Sequence, residues 1–200
     1  MSTHPRDKYI TVYGRKPVLE ILSNPDLEID KLVIAQKVQG AIIKDLLYAA
    51  EKRNITVLRW PWEKVNRLSR NAKQDQGVAA DVIVPQMANL SHFLQYEAAS
   101  FYKKFQKIHL VALDGITTPA NVGMIIRTCT GLGIDGIILP RVGCPKINSL
   151  VIKASAGIVF KSRILRCEHI AEGLKMAKEW GFPLYGLAGN APSNIYETWF

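Results

Sequence analysis

Apolar positions along this chain alternate between short continuous runs and helical stripes, and the clearest case lies just past its middle. Ile108 to Leu113 is an apolar run of the kind a buried strand needs, and Asp114 to Ala120 is a polar turn punctuated by Gly115 and Pro119. From Asn121, where a helix is expected to begin, Val122, Ile125, Ile126, Cys129 and Leu132 recur at helical spacing, and Gly131 and Gly133 stop the run. Ile134 to Leu139 reads as the next buried strand. The result is a strand, helix, strand unit with a short polar first turn, and in open parallel sheets ligands are met at that turn.

The same alternation predicts the rest. Leu32 to Ala35 reads as a strand, Ala41 to Asn54 as an amphipathic helix, Ile55 to Arg59 as a strand, Pro61 to Arg70 as a helix with proline in its first turn, and Val78 to Val84 as a closing strand. Together they make a small α/β sandwich. Further on, Val159 to Leu165 reads as a strand with a basic edge from Lys161, Arg163 and Arg166, Glu168 to Trp180 as a helix, and Phe182 to Leu187 as another strand. Pro85 to Lys107 is weakly patterned, with an aromatic and basic run from Phe101, and is expected to be a linker carrying one helix from Leu90. The expected organisation is therefore a first domain over 1–84, a linker over 85–107 and a second domain over 108–200. At 200 residues the chain is long enough for two modest cores. It shows no internal repeat or low-complexity tract.

Arg127 breaks the apolar pattern of its helix. Arginine is almost never fully buried unless paired, and at ~100° per residue Arg127 lies roughly 240° round the helix from Asn121. The two converge if the arginine side chain folds back toward the helix start, the direction helical side chains favour. A guanidinium delivered there makes an anion site suited to phosphate. Two readings of Asn121 stand: a simple helix N-cap, or a partner of Arg127 at a ligand. Gly123 eases packing of the helix. Gly131-Leu-Gly133-Ile-Asp-Gly136 matches the glycine fingerprint of dinucleotide-binding folds in letters only, because it closes a helix and opens a strand where that fingerprint must do the reverse.

Charge adds a partner class. The net charge of +9 is uneven: residues 1–107 carry 17 basic and 11 acidic side chains, a balance of +6, and residues 108–200 carry 9 and 6, a balance of +3. Phosphate neutralisation is the ordinary use of such a surplus. Arg15, Lys16, Lys37, Arg67, Arg70 and Lys73 interleave with polar and aromatic residues as an RNA face would, although a solvated basic surface has the same composition. Cys129, Cys144 and Cys167 are three and lack metal-site spacing, which fits a reducing cytoplasm, with Cys129 and Cys167 filling core space. The histidines have no ligand spacing either, so no metal is expected. No signal peptide or long apolar segment is present, and the expected location is the cytoplasm.

The segment from Leu113-Asp114 through Pro119, with Asn121, Gly123, Arg127 and then Gly133-Ile-Asp-Gly-Ile-Ile-Leu139, resembles the first motif of the SpoU (TrmH) branch of the SPOUT RNA methyltransferases. Tyr13-Gly14-Arg15-Lys16-Pro17-Val18-Leu19-Glu20-Ile21-Leu22 is similar to the opening of the small substrate-binding domain that precedes many SpoU catalytic domains. Gln74-Asp75-Gln76-Gly77-Val78-Ala79-Ala80 resembles its closing signature. Asn148-Ser-Leu-Val-Ile-Lys-Ala-Ser-Ala-Gly157 is similar to a recurring SpoU helix that carries small residues against the sheet or a neighbouring subunit.

The resemblance implies an α/β protein: a ribosomal-protein-like RNA-binding domain followed by a SPOUT parallel sheet whose end is threaded into a trefoil knot. It implies S-adenosyl-L-methionine as methyl donor and a ribose 2′-hydroxyl of structured RNA as acceptor. Arg127 and Asn121 become the catalytic residues, Leu187, Ala188 and Gly189 the strand end that grazes the cofactor, and Arg15, Lys16, Arg127 and Lys153 the RNA contacts. Ser155 is assigned to packing. A homodimer sharing its active sites is also implied. The Gly14-Arg15-Lys16-Pro17-Val18 opening is most similar to the branch that methylates a guanosine of large-subunit ribosomal RNA, with transfer RNA and antibiotic-resistance methylation as alternatives. The chain departs from the family at its end: the Asn-Glu-Gly and Ser-Leu-Asn motifs that build most of the cofactor pocket and the knot do not occur. Either it is part of a longer enzyme, the favoured reading, or it is a naturally short RNA-binding module without methyl transfer. Stopping mid-sheet leaves an unpaired strand edge and an uncovered apolar face, which favours the first.

Overall fold

A computed structural model of the chain describes residues 8–84, 86–105 and 107–197. β1 (Tyr9–Tyr13) passes through Gly14, at φ 92°, into α1 (Arg15–Ser23), followed by β2 (Ile29–Ala35), α2 (Ala41–Lys52), β3 (Thr56–Trp60), α3 (Trp62–Ser69) and β4 (Val78–Ile83). Their sheet has the order β1-β4-β2-β3, with β4 antiparallel to both neighbours and β3 parallel to β2. β1, β2 and β3 therefore end, and β4 begins, at one end of the sheet. Helix α2 forms because Ile43, Leu46 and Ala50 recur on one face and are buried there.

A second sheet is built from β5 (Ala88–Asn89), β6 (Leu110–Ala112), β7 (Gly136–Pro140) and β8 (Ile164–Cys167) in the order β5-β8-β7-β6, all parallel. Between β5 and β6, α4 (Leu90–His92) runs through a π turn (Phe93–Glu97) into α5 (Ala98–Phe105). α6 (Pro119–Gly131) links β6 to β7, α7 (Ser149–Ala154) and a 3₁₀ turn (Ile158–Phe160) link β7 to β8, and α8 (Ile170–Glu179) follows. Every residue of β7 is buried, as a strand covered on both faces requires. Ile137 and Leu139 join Val122, Ile126, Val151 and Val159 on one face, while Ile138 joins Leu90, Phe93, Leu94 and Leu165 on the other.

Several expected elements are revised. The segment 85–107 is more than a linker: β5 pairs with β8, and Leu90, Phe93, Leu94 and Ala98 close one face of the second sheet. Its amphipathic helix was legible, but its two-residue strand was not, because only the edge of β8 defines it. α6 starts at Pro119, whose fixed φ suits a first helical turn, so Asn121 lies inside the helix and caps nothing. The strand expected from Val159 is confined to Ile164–Cys167, since Gly157, at φ 76°, turns the chain into the 3₁₀ segment first. Phe182 to Leu187 forms no strand. Composition favoured one, but a strand exists only where a neighbouring edge pairs with it, and no ladder engages this segment among the described residues.

The basic edge expected of Lys161, Arg163 and Arg166 is partly engaged by the chain itself. Lys161 meets Asp26 of the first unit at 3.1 Å, Arg163 donates to Glu97 at 2.6 Å, and Arg166 is buried. Another arginine, Arg53, holds the end of α1: its Nη1 donates to Leu22 O and Asn24 O, each at 2.9 Å, and its Nη2 to Leu27 O.

Candidate active site

The exposed residues of α6 are Ala120, Asn121, Met124, Arg127, Thr128 and Gly131. At ~100° per residue they span an arc of roughly 120°, with Arg127 at one border and Asn121 at the other. Val122, Gly123, Ile126 and Cys129 fill the buried side. Arg127 is thus an exposed side chain, which corrects the view of it as a charge inside an apolar helix and removes the need for an internal partner. No hydrogen bond or ion pair ties it to any other described residue, so its guanidinium is available to an external anion.

What sets the aim of this face is the contact beneath it. A Cβ on Gly123 would sit 2.6 Å from both Ala154 Cβ and Val151 O, so α6 and α7 approach as closely as backbone allows. Thr130 Oγ1 donates to Ile126 O at 2.8 Å and meets Ser162 Oγ at 2.7 Å, tying the helix to the turn before β8. Asn148 is a true N-cap, its Oδ1 accepting from Leu150 N at 3.0 Å and Val151 N at 3.1 Å. Ser155 is fully buried and donates to Ile152 O at 2.9 Å, which makes it a packing residue, whereas Lys153 is exposed.

Some basic residues of the first unit lie on the elements and turns at one end of its sheet. Arg15 and Lys16 follow β1, Lys37 follows β2, Arg67 and Arg70 belong to α3 and its left-handed cap, and Lys73 precedes β4, all toward the shared end of the sheet. Arg59 steadies that end by donating to Ala35 O at 3.3 Å and Val38 O at 3.2 Å. Arg15 and Lys16 line a groove that reaches Ser149 of α7. Tyr13, Gln74, Gln76 and Ser149 also line that groove, with the apolar Pro17 and Ile42, and were not foreseen as site residues. Their spacing carried no signal, because β4 brings Gln76 back against Arg15 only in the folded sheet.

Leu187, Ala188 and Gly189 lie in an irregular, exposed stretch, with Leu187 84% accessible. They line an open concavity of about 860 Å³ together with Tyr185, Asn194 and Glu197. Its lining includes neither Asn121 nor Arg127. Burial pushes the Cys129 and Cys167 thiols up, which keeps both protonated and unreactive. Among the described residues no three His, Cys, Asp or Glu side chains gather as metal ligands. No described helix is long and apolar enough to cross a membrane.

Residues 108–199 match the SpoU rRNA Methylase family, and residues 11–88 match the RNA 2′-O ribose methyltransferase substrate binding family. A TrmH family tRNA/rRNA methyltransferase of Staphylococcus epidermidis is 30% identical over 181 residues, covering 90% of this chain and 70% of the relative. The chain belongs to the SpoU (TrmH) family of RNA methyltransferases. A relative from Staphylococcus aureus, strain COL, is likewise 30% identical and is covered over 69% of its length. Among solved structures, the SpoU methyltransferase AviRb from Streptomyces viridochromogenes, in complex with the cofactor AdoMet, aligns at a TM-score of 0.50 and 17% identity over 87% of this chain. This SpoU chain spans 61% of that protein's length, and the likeness concerns the fold alone.

Proposed function

We propose that this SpoU protein methylates a ribose 2′-hydroxyl of structured RNA, its target a guanosine of the large-subunit ribosomal RNA. The observation that carries the reading is the exposed arc of α6, which an outward-facing Arg127 and Asn121 border on opposite sides. Arg15, Lys16 and Lys153 supply further cations for the RNA backbone. The proposed setting is a cytoplasmic homodimer, supported by the exposed apolar Met124 and Leu132 on and beside the same arc.

The methyl donor implied is S-adenosyl-L-methionine. The chemistry of Leu187, Ala188 and Gly189 fits an adenosyl group, since the N–H groups of Leu187 and Gly189 donate to no described residue and the Leu187 side chain offers an apolar face. When bound, that molecule supplies a methyl group already activated on a positively charged sulfur. What remains for the protein is orientation of the hydroxyl and removal of its proton. A guanidinium, with a pKa above ~12, is a poor proton acceptor. Arg127 instead pairs with a phosphate of the RNA; that phosphate orients the hydroxyl and takes up its proton on the way to solvent, while the guanidinium steadies the charge that develops on the hydroxyl oxygen. Asn121 fixes the geometry.

Arg127→Lys tests this, because lysine keeps the charge and loses the planar fork. Expected is RNA affinity within about threefold of the natural protein with methyl transfer reduced about a hundredfold or more in single turnover, the scale of one lost oxyanion-type donor. Near-normal single-turnover transfer discards the role. A second reading, RNA binding without methyl transfer, is favoured by the absence of Asn121 and Arg127 from the lining of the 185–197 concavity. Calorimetry with S-adenosyl-L-methionine separates the two: heat at micromolar affinity supports the enzyme, and silence alongside salt-dependent RNA binding supports the module.

A further inference from the structure

The two units come together at both ends of α1. At its start, Lys16 and Pro17 share a groove with Ser149, the first residue of α7. Past its end, the Asp26 carboxylate accepts from Lys161 Nζ at 3.1 Å, across a separation of 135 residues in the chain. Both partners stand on fixed backbone. Asp26 N donates to Asn24 Oδ1 at 3.0 Å and Leu27 N to Asn24 O at 3.3 Å, and the Arg53 guanidinium holds the carbonyls of Leu22, Asn24 and Leu27 around that turn. Lys161 follows the buried Val159 and Phe160 at the end of the 3₁₀ turn, and its N–H donates to Ile158 O at 2.9 Å.

The segment 149–162 that reaches the first unit also carries α6. Val151 O and Ala154 Cβ lie 2.6 Å from where a Cβ on Gly123 would stand, and Ser162 Oγ lies 2.7 Å from Thr130 Oγ1. At ~100° per residue Gly123 and Thr130 fall within roughly 20° of each other, and Arg127, between them along the helix, springs only about 40° from Gly123. The seam therefore grips the flank of α6 from which the guanidinium emerges. Hydrogen bonds run unbroken through the segment: Ser155 N donates to Val151 O and Gly157 N to Ile152 O, each at 2.9 Å, Ile158 N to Ser155 O at 3.0 Å, and Ser162 Oγ to Ile158 O at 2.8 Å. A displacement of Lys161 relative to Asp26 is thus a displacement of the mounting of Arg127.

We propose that Asp26 and Lys161 are positioning residues, whose ion pair holds the first unit, the one that matches the substrate-binding family, in register with Arg127. Two contacts separated by the ~14 Å of a nine-residue helix fix an angle that a single contact leaves free. Orientation of the two reactants carries much of the acceleration in a transfer of this kind, and a misplacement of ~1 Å introduced far from the chemistry costs about a hundredfold. Asp26 and Lys161 are 64% and 63% exposed, and an exposed pair shifts an equilibrium only a few-fold, so its consequence lies in how the units are aligned and not in whether they fold. The inference rests on the RNA methyltransferase reading and deepens it by naming what aligns the bound RNA with Arg127.

Asp26→Lys separates alignment from RNA affinity, because it turns attraction into repulsion while replacing a negative charge with a positive one, an electrostatic gain for RNA. With unmodified large-subunit ribosomal RNA and radiolabelled S-adenosyl-L-methionine, Asp26→Lys and Lys161→Asp are each expected to lower kcat about fivefold or more, and Asp26→Lys to leave KM for RNA no higher than in the natural protein. The double variant, Asp26→Lys with Lys161→Asp, restores the pair and is expected to return kcat to within about twofold. Thermal melting of each variant establishes that it is folded. Hydrogen exchange supplies a readout that needs no activity: the backbone amides of 156–162 are expected to exchange about threefold faster in either single variant and at the natural rate in the double one. Natural kcat in both single variants, or a double variant as slow as the single ones, refutes the positioning role and leaves the methyltransferase reading standing. If the natural protein transfers no methyl group, that reading falls and exchange decides the ion pair: rates restored by the double variant uphold it, and rates unchanged by the single variants refute it.

Discussion

Gly123→Ala is the smallest change that tests how the catalytic face is mounted. The new methyl carbon would stand 2.6 Å from Ala154 Cβ and 2.6 Å from Val151 O, against a comfortable carbon contact of roughly 3.5–4.0 Å. One helix must retreat by about 1 Å, and forcing an extra methyl into a packed contact of this kind costs about 1–3 kcal/mol. Alanine gains back ~1 kcal/mol of helix propensity over glycine. The net loss of up to about 2 kcal/mol lowers the melting temperature by up to roughly 8 °C for a chain of this size. Gly131→Ala supplies the opposite sign in the same helix, because nothing lies within 4 Å of its Cβ position and only the propensity gain remains. Calorimetric melts of the two variants and the natural protein decide the matter. A Gly123→Ala protein that melts as far above the natural one as Gly131→Ala does shows that α6 and α7 are not in backbone contact and that α7 does not fix the aim of Arg127.

Arg53→Met removes a guanidinium that satisfies the carbonyls of Leu22, Asn24 and Leu27 at the end of α1; a loss of about 2–4 kcal/mol is expected, read as a lower urea midpoint at unchanged slope. Lys31 gives a pH signature. Burial pulls its pKa down, but hydrogen bonds to Asp30 at 2.6 Å and Asp81 at 2.9 Å outweigh this and raise it above the ordinary 10.5. A raised value in the folded state means that the stabilisation is complete below pH 10.5 and is lost as pH climbs through the folded value. The stability difference between the natural protein and Lys31→Met is therefore expected to be constant from neutrality to about pH 10 and to shrink above it in urea titrations, and a difference that stays constant through that alkaline range contradicts the assignment.

Local chemistry made most of the elements legible. Ile137, Ile138 and Leu139 announce a strand buried on both faces, Pro61 marks the entry to α3, and Ile43, Leu46 and Ala50 mark the core side of α2, because hydrophobic period and turn residues act over a few positions. The Asn121, Gly123 and Arg127 spacing likewise identified the family motif without a fold. Where the reading failed, the deciding partner was distant. Asn121 and Pro119 compete for the start of α6 and sequence cannot weigh them, while Phe182 to Leu187 has the composition of a strand and no edge to pair with.

The amino-acid sequence by itself determined which segments are apolar, which turn is polar, that the positive charge is concentrated ahead of the motif, and which family the chain belongs to. Only the tertiary structure decided that Arg127 is exposed, that Lys161 and Arg163 are engaged by Asp26 and Glu97, and that Gln76 is folded back onto Arg15. The physical reason is one of range. Propensity and periodicity act between near neighbours, whereas the direction of a charge and the side chains that share a groove depend on residues that meet only after both sheets have closed.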